Sequence, residues 1–155
     1  MTMSMVVSAL LAAIWLTAAQ TAPSAAQETW LESFQGAWVV DGAVGADAHI
    51  VLNVAREGTI LVLRVVVRDR EIVTRYDLSG ADVMNQHMGG KSTFRTRIVG
   101  QSLVTQIWDS DVAAGAPARV ETRYLQSPDL MMTELADTPG GQAFNRTVLR
   151  RQGSK

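Results

Sequence analysis

The 155-residue sequence has no cysteine. That excludes disulfides, a cysteine nucleophile and a lipid-modified cysteine, and it suits an exported bacterial protein, although a cytosolic chain can equally lack cysteine. It also lacks any excess of positive charge, since its formal net charge is −1 with acidic and basic residues well mixed. A nucleic-acid or anionic-membrane surface would call for clustered basic residues, so neither partner is expected. Arginine outnumbers lysine twelve to two, which reads as the composition of a GC-rich genome rather than as an anion site. Histidine is nearly absent too, with only His49 and His87. There is no Gly-x-Ser-x-Gly elbow, no His-Glu-x-x-His, and no Rossmann or P-loop glycine pattern. Catalysis needs a base near a nucleophile, or paired carboxylates of separated acidity, and neither is visible. The chain is therefore read as a non-enzyme that needs no cofactor. Asp109 and Asp111 flank Ser110, but the later glycine and glutamate of a calcium loop are missing, which leaves a turn.

Residues 1–27 contain no Asp, Glu, Lys or Arg. The apolar run at 5–19 is short of the roughly 20 residues that span a bilayer, and Ser24, Ala25 and Ala26 are small enough for a signal peptidase. A signal peptide over 1–26 and one mature domain over 27–155 are expected, with periplasmic or secreted location and no stable membrane insertion after cleavage. The alternative is an uncleaved anchor.

The rest of the chain is organised around the stretch 28–41. Trp30, Leu31 and Phe34 gather on one side of a helical turn, whereas Trp38 and Val40 against Ala37, Val39 and Asp41 alternate as a strand does. Gly36 sits at the junction, where a residue without a Cβ tolerates a sharp change of direction. Gly36-Ala37-Trp38 after a helical turn resembles the Gly-x-Trp signature on the first strand of lipocalins and other calycins, and the chain as a whole resembles small secreted lipocalin-like bacterial domains, with Tyr76-Asp77 as a strand end. The resemblance implies that Trp38 closes the barrel floor and that an arginine near the last strand lies across it, with Arg146 and Arg150 as candidates.

Period-two runs continue at 49–56, 59–68, 72–78, 93–99, 103–108, 119–126, 130–136 and 142–151. Each is bounded by turn residues, and the stretch 79–92 reads as a glycine-bearing loop. The expected fold is all-β: an eight-stranded (eight to ten) antiparallel up-and-down barrel with a short N-terminal helix closing one end.

If Tyr76 and Phe94 face inward with Leu52, Leu63, Ile107, Tyr124 and Met132, the interior is apolar with two hydroxyls to orient a guest. That composition suits a small hydrophobic molecule. The same residues could instead pack the lumen solid, leaving an envelope protein-protein interaction module that works through the 79–92 loop. A second alternative is a soft Cu(I) site from Met84, His87 and Met88, although the same methionines could simply plug a barrel mouth.

Overall fold

The helix that precedes the strands starts where the sequence supplies a cap. The computed structural model describes residues 22–43, 45, 50–87 and 89–154, and in it α1 spans Ala25–Glu32. Ser24 Oγ accepts from the Gln27 N–H while Gln27 Oε1 accepts from the Ser24 N–H. This reciprocal box satisfies N–H groups that a helix start otherwise leaves bare. Leu31 and Phe34 are fully buried, and Trp30 meets Phe34 edge-on with ring centroids 4.8 Å apart.

Among the described residues ten strands come after it: β1 (Gly36–Val40), β2 (Val51–Glu57), β3 (Ile60–Val67), β4 (Arg70–Asp77), β5 (Asp82–His87), β6 (Gly90–Val99), β7 (Ser102–Trp108), β8 (Arg119–Ser127), β9 (Leu130–Ala136) and β10 (Ala143–Arg151). Two-residue hairpins join several of them. Arg68 and Asp69 both have positive φ, at 50° and 63°, the left-handed pair that matches strand twist in such a turn. Every neighbour in the sheet is antiparallel and consecutive in sequence except one. That exception is β1 against β10, with Trp38 opposite Arg151 and Val40 opposite Leu149. The chain is a meander whose last strand returns to its first.

The count is ten, the upper end of the expected range, because 79–92 is not a loop. It holds β5 and the start of β6, a hairpin that is part of the barrel wall. The alternation was hidden there. Val83, Asn85 and His87 share the inner face, and a polar amide and an imidazole break the expected apolar row.

The barrel is nearly closed: β4 and β5 are the two ends of the hydrogen-bonded order and do not pair. A side chain bridges that seam. Asn85 is 2% exposed, its Oδ1 accepts from the Arg75 N–H at 2.8 Å, and its Nδ2 donates to the Arg75 carbonyl at 2.9 Å. The carboxamide thus supplies the donor and acceptor that a neighbouring peptide would otherwise offer.

Residues opposite one another in antiparallel strands share a face, so the register sorts the interior. Near α1 the inward side chains are Trp38, Val54, Leu61, Leu103, Met131 and Leu149, all buried in one apolar cluster with Leu31 and Phe34. Trp38 is fully buried, its Nε1 donates to the Phe34 carbonyl at 2.9 Å, and the Arg151 guanidinium lies over its ring at 4.3 Å. Arg151 also donates from Nη1 to the Gln35 carbonyl (2.9 Å) and from Nη2 to the Ser33 carbonyl (2.8 Å). Gly36 is required beside it: its φ is +121°, and a Cβ there would stand 2.9 Å from Arg151 Nη1. The arginine across the tryptophan is therefore Arg151, not Arg146 or Arg150. Alternation along β10 decides this, because Leu149 and Arg151 face inward while the even positions face out. Arg150 pairs with Asp41 at 2.9 Å and Arg146 with Glu134 at 2.7 Å.

Two measurements check this architecture. Arg151→Lys keeps the charge but loses the stacked, forked geometry, and should lower unfolding stability by about 1–3 kcal/mol while Arg150→Lys costs less than about 0.5 kcal/mol in urea melts. Asn85→Leu leaves both Arg75 backbone groups unmatched, and should cost about 1–3 kcal/mol with selectively faster hydrogen exchange at the Arg75 amide.

Candidate ligand-binding site

Midway up the barrel the inner surface changes from aliphatic to polar. Tyr76 on β4 and Phe94 on β6 meet with ring centroids 5.5 Å apart, and the Arg123 guanidinium from β8 lies 5.4 Å from the Tyr76 ring centroid. Arg123 Nη2 donates to Glu121 Oε1 at 3.1 Å and makes a long 3.4 Å contact to the Tyr76 hydroxyl. Arg123 is 7% exposed. Its charge is held in place by Glu121, two residues along on the same inward face.

The electrostatics follow from burial and this pairing. Burial strongly disfavours the phenolate of Tyr76, and the Glu121 carboxylate beside it adds to the effect, so the phenol stays protonated well above its ordinary range. Burial alone would weaken protonation of Arg123, but Glu121 and Tyr76 together more than offset it and the guanidinium stays charged. Not all of its donors are used. Arg123 Nε and Nη1, and Thr133 Oγ1 on the facing strand, have no hydrogen-bond partner among the described residues. The other buried hydroxyls here, Thr96 and Thr105, satisfy each other at 3.0 Å.

Above this layer the barrel opens. Val65, Ile72, Thr74, Thr133, Leu135 and Thr147 lie on the inward rows of their strands yet are only partly buried. At the same end a cleft of about 520 Å³ is lined by His87, Gly90, Lys91, Ser92, Asp109 and Arg119. Arg119 is paired with Asp109 at 2.6 Å. The His87 ring stands 5.8 Å from Phe94, so the cleft, Phe94, Tyr76 and Arg123 form a continuous line of side chains running inward.

Of the residues expected to line a pocket, Leu52, Leu63, Tyr76, Phe94 and Ile107 are on inward rows. Leu52 is directly opposite Trp38 and in the same cross-strand row as Val65. Tyr124 and Met132 are opposite each other on the outer face. Tyr124 donates to Glu134 at 3.2 Å there, and burial together with that carboxylate raises its pKa. The inversion arises in β8, whose odd positions face Leu103, Thr105 and Ile107 of β7, so Glu121 and Arg123 are inside. An alternating row of charged residues reads as a solvated face, and that reading hid the two most consequential interior groups. Loop 110–118 gave no short hairpin to tie the face of β8 to that of β7. This loop folds over the outer wall, where Trp108 Nε1 donates to the Gly115 carbonyl at 3.2 Å and Arg95 lies over the indole at 5.2 Å.

Met84 and His87 are on opposite faces of β5, with Met84 exposed outside and His87 inside, and Met88 lies outside the described residues. They do not converge on a metal. Among the described residues no group of three His, Cys, Asp or Glu gathers either, and no helix is long and apolar enough to cross a membrane.

No protein-family profile matches the chain, and no curated protein does. Solved structures do. A REP1-NXSQ fatty acid transporter superposes with TM-score 0.55 at 10% identity, over 80% of this chain and 99% of that one. The fluorescent protein UnaG, as a point mutant, gives 0.58 at 15% identity over 80% and 99%. Apo lipid binding protein 8 of Caenorhabditis elegans gives 0.57 at 8% identity over 79% and 97%. The fold is a calycin barrel. At these identities the likeness is one of architecture, and nearly the whole of each neighbour is covered by it.

The calycin barrel here carries an ion pair in its interior, which has a measurable consequence. Glu121→Leu should destabilise the protein by about 3–5 kcal/mol by leaving the guanidinium uncompensated, whereas Glu121→Leu combined with Arg123→Met should recover most of that loss in thermal melts.

Proposed function

We propose that this protein is an exported, non-catalytic binder of a small hydrophobic molecule held inside the calycin barrel. The observation that carries the reading is the half-sealed inner surface. Large apolar side chains close the end beneath α1, while the inward rows at the other end keep their exposure and lead to the cleft beside His87. A packed barrel would bury those rows as fully as it buries Trp38 and Leu61. Aliphatic walls with a few convergent polar groups are what small-molecule sites are made of. That a fatty acid transporter and a lipid binding protein share this architecture agrees with the reading.

Export rests on the apolar leader without charged side chains. A cut after Ala26 would remove Ser24 and the first two residues of α1, leaving Trp30, Leu31 and Phe34 to seat the remaining turn.

Inward and outward positions on adjacent strands provide the test. An environment-sensitive apolar dye should bind saturably at micromolar concentration. Thr133→Trp, which fills the lumen, should weaken that binding about tenfold or more, and Tyr124→Trp on the outer wall should leave it unchanged. Equal effects of the two, or no saturable binding, would remove the proposal.

A further inference from the structure

The charge state of the interior limits what kind of hydrophobic molecule can sit there. Arg123 presents two unmatched donors, Nε and Nη1, and Thr133 presents an unmatched hydroxyl on the strand opposite. Buried donors without acceptors carry a cost that a guest could relieve. The guanidinium is not a free cation, however. It is already paired with Glu121 at 3.1 Å, and both side chains are largely buried, 8% and 12% exposed. The pair sums to zero charge.

Two guests can be compared on these terms. A carboxylate placed against Nε and Nη1 would be a second anion on one cation, beside Glu121, leaving an uncompensated negative charge in a poorly solvated space. A carbonyl or ester oxygen would accept the same donors with no change in charge. The Tyr76 phenol, kept protonated by burial, adds no cation to alter that balance.

Resting on the binding function proposed above, we propose that the Arg123–Glu121 pair selects neutral apolar molecules bearing a carbonyl-type acceptor and discriminates against free long-chain carboxylates. Tyr76 and Phe94 form the aromatic wall beside the acceptor, and the alkyl or ring portion of the guest points toward the opening beside His87.

Displacement of a bound apolar dye by laurate, methyl laurate and dodecane, guests that share one alkyl chain, tests this at neutral pH. The ester should displace dye at concentrations about tenfold lower than laurate, and lower than dodecane as well. Glu121→Gln should reverse the order in favour of laurate, because the guanidinium then lacks its counter-charge. Arg123→Met combined with Glu121→Leu, which removes both charges together, should bring ester and alkane together. The ester-to-laurate comparison on the unaltered protein needs no variant, and far-UV circular dichroism verifies that each variant folds. Tighter binding of laurate than of its ester, or an order unmoved by Glu121→Gln in a folded variant, overturns the inference while leaving the binding function standing. Failure of the dye itself to bind overturns both.

Discussion

The stack of Arg151 on Trp38 is the constraint on which the remaining structure depends. One guanidinium joins three parts of the chain that are far apart in sequence: the end of α1 through the Ser33 and Gln35 carbonyls, β1 through the indole, and the β8–β9 turn through the Pro128 carbonyl at 3.0 Å. A lysine at the same place has one compact charge and no planar face, so it could not serve these partners together. The glycine at position 36 follows from the same contact, since the space a side chain would take is occupied by the arginine. Glycine, tryptophan and arginine are thus one structural unit, and it fixes the return of the last strand to the first. With that end sealed by Leu31, Phe34 and Trp38, any opening must lie at the other end.

Closing the ring on one side leaves the mismatch of the sheet somewhere else. Here it falls between β4 and β5, where Asn85 substitutes for the missing ladder. A side-chain amide satisfies the Arg75 backbone while, among the described residues, β4 and β5 share no continuous ladder. The seam is flanked by Tyr76, one residue from Arg75, and by His87, two residues from Asn85. The least tightly joined part of the wall is therefore next to the line of side chains that leads to Arg123, and local opening there would widen the way in without disturbing the floor.

How much of this was legible in the sequence depended on whether the signal was local. The α1 turn, the Gly36 junction and the alternation around Trp38 could be read from spacing, because each is determined by a few adjacent positions. The place of Trp38 in the floor came from the resemblance, and closure from the number of consecutive strands. β5 could not be read from spacing, because its inner face carries Asn85 and His87 instead of a row of aliphatics. The stacked arginine was misplaced by one position: parity along β10 distinguishes Arg150 from Arg151, but only the pairing with β1 says which parity is inside. Tyr124 and Met132 were placed on the wrong face for a related reason. Burying Glu121 and Arg123 is costly for each alone, so a sequence reading puts them in water. Their mutual neutralisation, which makes the arrangement tenable, is visible only once both are known to face inward from the same strand.

That neutralisation also determines what the interior can recognise. An arginine alone inside a barrel is an attractor for anions, and its field would dominate any guest's hydrogen bonding. The same arginine with a carboxylate 3.1 Å away presents oriented N–H donors with little net field. Recognition then shifts from charge to geometry: what matters is an acceptor that reaches Nε and Nη1 past the Tyr76 ring, and enough apolar surface to pack against the partly buried inward rows at the open end. Specificity of this kind rejects a guest by the cost of leaving buried groups unpaired or a charge unbalanced, which is larger than the gain from any one added contact. The placement of Glu121 two residues before Arg123 on one strand is the simplest way to impose it, because the strand itself keeps the two groups on the same face at a fixed separation.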